Sequence, residues 1–96
     1  MASSDVIHVD GTDAGRIFLY ALSTCVWCKR TKRFLDSLGI SYDYIDVDTL
    51  AGAAKDEVTK SLRQWNPAGS YPTVVINEKD CIIGYDEDRI QEALGK

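Results

Sequence analysis

The chain predicts an α/β domain with the element order β-α-β-α-β-β-α: a four-stranded mixed sheet carrying helices on both faces. Three observations predict it. Apolar runs of strand length at Ile17–Leu22 and Thr73–Asn77 alternate with longer stretches whose apolar residues recur every three or four positions. Turn formers sit at the junctions, at Gly39, Asn66–Pro67 and Ala68–Gly69–Ser70. Ninety-six residues with 45% hydrophobic content fit one compact domain, residues 1–96, large enough to bury a core without metals or multiple disulfides.

Residues 1–15 form a polar, turn-rich lead-in, in which Val6–Val9 is a candidate short extra strand; residues 16–96 carry the core fold. Ile17–Leu22 is apolar throughout, as a strand buried on both faces must be. Ser23 or Thr24 can cap the helix that follows, whose inward positions are Cys28, Thr31, Leu35 and Leu38, flanked by Phe34. Gly39 stops that helix, and Ile40 is placed to close the apolar contact of a glycine cap. Tyr42–Val47 alternates as an edge strand, and strand–helix–strand implies a right-handed parallel crossover. Asp48 or Thr49 can cap a second helix with an Ala54, Val58, Leu62 and Trp65 stripe, ended by Asn66–Pro67. Thr73–Asn77 and Cys81–Tyr85 pair as a hairpin around Glu78–Lys79–Asp80. Asp86 caps a last helix that turns Ile90, Ala93 and Leu94 inward.

Eleven basic against fifteen acidic residues leave a net charge of −4, which argues against nucleic acid or an anionic membrane surface as a partner. The longest apolar run is far too short to span a bilayer. Met1–His8 lacks a basic n-region and a long apolar h-region, so no signal peptide is expected. Three cysteines, an odd number, do not suit a secreted disulfide scaffold; the expected compartment is a reducing cytoplasm. Positive charge is nevertheless concentrated at Lys29, Arg30, Lys32 and Arg33, as either a solvated helix face or a functional rim.

Cys25-Val26-Trp27-Cys28 lies at the first strand-to-helix junction. Two thiols at this spacing can close and reopen a redox-active disulfide. Cys25 would sit at the first helical turn, where unpaired N–H groups and the helix dipole favour a thiolate, which makes it the candidate nucleophile. Cys28, one turn further on and facing the core, suits a resolving thiol. Lys29 and Arg30 would add a modest cationic field. Trp27 points away from the sheet and is expected to be exposed as a recognition surface. Two rival readings remain: small buried cysteines, or half of a tetrahedral metal set whose other ligands would have to come from His8, Cys81 or a second subunit. Cys81 reads as a packed, incidental thiol.

These residues resemble the glutaredoxins, within the thioredoxin-like superfamily. Leu19-Tyr20 leading to Cys25-Val26-Trp27-Cys28-Lys29, then Tyr44-Ile45-Asp46-Val47, Tyr71-Pro72-Thr73-Val74 and Ile83-Gly84-Tyr85-Asp86, fall in the family's order from Arg16 to Lys96. The resemblance implies a thioredoxin-like (glutaredoxin) fold and a thiol–disulfide oxidoreductase with a Cys25/Cys28 dithiol and no bound cofactor. It implies a cis Tyr71–Pro72 bond beside the nucleophile, with the Tyr71 backbone pairing to substrate. It also implies a docking surface at Gly84, Tyr85 and Asp86, where glutaredoxins hold glutathione. Partners would be disulfide-containing proteins, with glutathione or a thioredoxin-reductase-type donor returning the electrons to a monomer.

The chain departs from the family pattern at five places, one of them the segment Asn66–Tyr71, which differs from the usual Thr-Val before the proline. Leu22 stands where a basic residue commonly precedes the motif, and Val26 replaces the usual proline inside it. Ile83 replaces the first of two glycines, and Tyr85 brings a ring to the rim. Dithiol chemistry survives these changes while the case for glutathione weakens, and the NrdH redoxins, reduced by thioredoxin reductase, offer the alternative. From another class, the dithiol could hold or deliver a metal or iron–sulfur cluster. An inactive interaction domain is the third alternative, since fold does not secure function.

Overall fold

In a computed structural model, which describes residues 6–95, the elements follow the expected order with one addition. They are β1 (Ile7–Val9), β2 (Ile17–Ala21), α1 (Val26–Ser37), β3 (Tyr42–Asp46), α2 (Gly52–Trp65), β4 (Thr73–Ile76), β5 (Asp80–Ile83) and α3 (Glu87–Ala93). A short 3-10 turn, Val47–Thr49, joins β3 to α2. Met1–Asp5, the part of the lead-in on which the signal-peptide expectation mainly rested, lies outside the described residues, as does Lys96.

The sheet has five strands rather than four, in the order β1-β3-β2-β4-β5. β2 and β3 run parallel, as the crossover requires, while β2–β4 and β4–β5 are antiparallel. β1 pairs antiparallel with β3, Ile7 opposite Tyr44 and Val9 opposite Tyr42, so β3 is not an edge strand. The lead-in is stitched on by more than this ladder. The Thr12 N–H donates to the Gly39 carbonyl at 2.8 Å, and the Ser41 N–H to the Thr12 carbonyl at 2.9 Å. Gly11 presses so closely on Ile40 that a Cβ there would stand 2.5 Å from its carbonyl carbon. A backbone packed this tightly requires glycine.

The two sheet faces carry separate cores. Leu19, Tyr42, Val74 and Ile82 face α1 and α3, meeting Cys28, Leu35 and Ile90. Tyr20, Ile45, Val47 and Val75 face α2 and meet Leu62, with Val58 and Trp65 packed at the margin. Period-two alternation along β2 and β3 produces this division, since successive side chains must leave opposite faces.

Two expected helix caps are corrected. Cys25, not Ser23 or Thr24, caps α1, because the strand ends at Ala21 and the intervening turn takes up both hydroxyl residues. Ala51 occupies the cap of α2 and makes no side-chain bond. Asp48 turns the other way, accepting the Ser23 N–H at 2.8 Å and its hydroxyl at 2.5 Å, and Thr49 donates to the Asp46 carbonyl. Asp86 does cap α3, accepting the Arg89 N–H at 3.1 Å. The hairpin turns at Asn77 and Glu78, both at positive φ, one residue earlier than the 78–80 expectation. β5 stops at Ile83, two residues short of Tyr85, because Gly84 bends away at φ 87°.

Candidate functional site

Cys25 and Cys28 are free thiols at the start of α1, beneath the carboxyl end of β2. As the N-cap residue, Cys25 has extended backbone (φ −83°, ψ 120°), and its Sγ accepts the Cys28 N–H at 3.2 Å. The half-buried sulfur therefore replaces the usual Ser or Asp oxygen on one of the orphan N–H donors of the helix start. Cys28 is fully buried. Burial, and then the neighbouring Cys25 thiol, pushes the Cys28 thiol up to about 12. The two sulfurs thus differ in access and in environment although one helical turn separates them.

Below Cys28 on the same helix, Lys32 forms an ion pair with Asp46 at 3.0 Å, and its Nζ sits 4.1 Å from the Tyr44 ring centre. Both charged groups are largely covered, and the lysine is a cation acting on the Cys28 thiol, favouring its ionised form. One member of the basic cluster is therefore committed inward. The Ser23–Asp48 bonds anchor the turn that delivers Cys25, and they hold the Asp48 carboxyl below the ordinary carboxylate range.

The loop after α2 brings Tyr71 and Pro72 beside the thiols through a cis Tyr71–Pro72 bond. Among the described residues neither the N–H nor the carbonyl of Tyr71 has a hydrogen-bond partner. The Tyr71 side chain packs against both cores, and its hydroxyl is raised by burial and then by the Cys28 charge. Asn66 holds this loop in shape. Its buried amide donates to Ser70 Oγ and Thr73 Oγ1, each at 3.0 Å, and its Oδ1 accepts the Ala68 N–H at 3.1 Å. Sequence reasoning read Asn66 only as a helix stop. Its second role depends on a partner seven residues on, across an irregular loop, which no periodicity announces.

On the opposite side, Trp27 is 53% exposed, Val26 61% and Ile83 51%, an apolar rim around the half-buried nucleophile position. Trp27 stacks with the Tyr85 ring at 5.9 Å between centroids, and the Arg30 guanidinium lies 4.9 Å above the indole. Tyr85 also donates its hydroxyl to Glu87. The Gly84 N–H donates to the Pro72 carbonyl at 2.8 Å, which ties this turn to the cis-proline loop. Lys29 is exposed next to the motif. Cys81 lies on β5 with its thiol donating to the Trp65 carbonyl at 3.4 Å, and His8 bonds Asp43 on the β1 edge. Among the described residues, no group of three or more His, Cys, Asp or Glu is placed to hold a metal ion, and no helix is long and apolar enough to cross a membrane.

A parallel crossover that opens on a thiol pair, faced by a cis-proline and an antiparallel hairpin, defines a thioredoxin-like redox protein. The sequence model of the glutaredoxin family matches residues 17–81, and the chain belongs to that family. It is similar to a glutaredoxin of Methanosarcina mazei, with 44% identity, covering 96% of this chain and 89% of that one, at a TM-score of 0.89. It is likewise similar to a methanoredoxin of Methanosarcina acetivorans, with 44% identity, 90% of each chain and a TM-score of 0.85. The NrdH-redoxin of Escherichia coli, a glutaredoxin-like protein with a thioredoxin-like activity profile, matches at 28% identity over 80% of this chain and 92% of that one, at a TM-score of 0.63. Family membership carries a thiol–disulfide redox role in general, with disulfides and a thiol or reductase as partners.

Proposed function

We propose that the protein reduces protein disulfides and mixed disulfides by dithiol exchange, with Cys25 as nucleophile and Cys28 as resolving thiol. The observation that carries this reading is the asymmetry of the pair: an accessible Sγ on the helix cap against a buried thiol pushed up to about 12. Cys25 thiolate attacks one substrate sulfur, forming a mixed disulfide and expelling the other sulfur as a thiolate. Cys28 then loses its proton and attacks Cys25 Sγ, closing the Cys25–Cys28 disulfide and releasing the second substrate sulfur. Two electrons pass from the dithiol to the substrate. Bonding Cys25 to the substrate removes its charge from beside Cys28, and Lys32 favours the Cys28 thiolate, so both ease the second step.

The unpartnered Tyr71 backbone is suited to pair with an extended substrate strand, and Trp27, Tyr85 and Asp86 border the place where its flanks would lie. A thioredoxin-reductase-type donor, as in NrdH redoxins, is the reading favoured over glutathione. Leu22 stands where a cation would be expected at a glutathione groove, and Ile83 sets an exposed bulky side chain where a glycine would leave room for the ligand. No resident cofactor enters this scheme, and a cytoplasmic monomer suits it.

The test is a coupled assay with either thioredoxin reductase or glutathione plus glutathione reductase as electron source. Turnover with the reductase, total loss in Cys25→Ser and trapped mixed disulfides in Cys28→Ser are the expected results. Wild-type-like turnover by Cys25→Ser would overturn the assignment, and turnover with glutathione alone would overturn the choice of donor.

A further inference from the structure

Four cations crowd one turn and a half of α1, in a chain whose net charge is −4. They do not share one environment. Lys32 is neutralised by Asp46, whereas Arg30 and Arg33 form no ion pair among the described residues. These two guanidiniums line an open groove of about 500 Å3, together with Phe34, Ser37, Tyr85 and Glu87. Glu87 is its one carboxylate, and the Tyr85 hydroxyl donates to it. The groove opens at the foot of the Arg30–Trp27–Tyr85 stack, so it continues the apolar rim around Cys25.

We propose that this groove is a subsite for an acidic side chain of a protein substrate, placed three to four residues from the substrate's reacting cysteine. The proposal rests on the dithiol reading above and names its substrate class. Charge complementarity selects the occupant: two guanidiniums without an ion pair among the described residues can donate to a carboxylate in a forked geometry that lysine would not match. Arg33 stands eight residues beyond Cys25, about 12 Å along a helix rising 1.5 Å per residue. An extended peptide at about 3.3 Å per residue covers that span in roughly four residues. Phe34 gives the groove an apolar floor, and Trp27 and Tyr85 offer faces to the residues nearer the cysteine.

The experiment uses the reduced full chain and synthetic peptides with one cysteine blocked as a mixed disulfide with 2-mercaptoethanol, aspartate being moved stepwise along both flanks. With aspartate three or four places away on one side, kcat/KM should rise roughly threefold to tenfold over the alanine peptide. The gain should fade in about 0.5 M salt, where charges are screened within a few ångströms. Arg33→Glu should abolish the preference, transfer it to the matching lysine peptide, and leave reduction of hydroxyethyl disulfide unchanged; Arg33→Gln should abolish it without reversal. Equal kcat/KM across the peptides, or a preference that survives both variants, would overturn the subsite while leaving the oxidoreductase standing. Failure to reduce any disulfide would overturn the dithiol reading and the subsite with it.

Discussion

On one side of the thiol pair, the loop from Asn66 to Thr73 is held by a buried amide that bonds three neighbours, with Pro72 and Thr73 fully covered. On the other, the turn from Ile83 to Asp86 and the facing Val26 and Trp27 are held by an exposed stack of rings and one guanidinium. The two walls touch through the Gly84–Pro72 bond, yet they are stabilised by different forces. A buried polar network has only one satisfied arrangement, because each unpaired group costs about 1–3 kcal/mol. A solvent-facing aromatic stack has several arrangements of similar energy. The difference teaches where rigidity is invested: in the main chain that would align the substrate disulfide, and not in the surface that would meet varied partners.

The largest expected effect comes from breaking the rigid wall. Asn66→Asp keeps the size and the Ala68 contact but removes the donors to Ser70 and Thr73, which should destabilise the fold by about 2–3 kcal/mol. Thermal unfolding should register this as a fall in Tm of roughly 10–20 °C. A shift under about 2 °C would mean that the loop is held by its backbone alone. Trp27→Ala probes the soft wall. It should raise KM for protein disulfides by about threefold to tenfold with stability changed by less than about 0.5 kcal/mol, and an equal effect on hydroxyethyl disulfide would place Trp27 in the chemistry instead.

The smallest effect lies in pH. The Asp48 carboxyl is lowered from its ordinary 3.8 first by the Ser23 hydroxyl and then by the Ser23 N–H. A depressed folded value means that its stabilisation is present above the ordinary value and lost as pH falls through the depressed one. An NMR titration should place Asp48 below 3.8 in the wild type and return it toward 3.8 in Ser23→Ala. An unchanged midpoint in that variant would detach the turn before Cys25 from Asp48.

The strands and helices of the core were legible because burial on two faces writes its own periodicities into the chain. The Cys25/Cys28 pair was legible for a related reason, since its spacing and its strand-to-helix junction are both local. Cys25 as the cap of α1 was not, because Ser23 and Thr24 are better cap formers by composition and only the strand's end at Ala21 displaces them. The fifth strand was marginal for want of length, Ile7–Val9 being three residues whose pairing depends on β3. Asp48 reads as a helix cap until Ser23, 25 residues away, is brought to it.

What the sequence by itself determined is therefore the local part: the α/β order, the inward faces of the helices, and two thiols one helical turn apart. Tertiary structure alone decided that Cys25 caps α1, which cation is paired with Asp46, and which partners Asp48 and Asn66 take. The physical reason is range. Propensity, capping and periodicity act within a few residues, whereas burial and charge pairing depend on groups that only the folded sheet brings together.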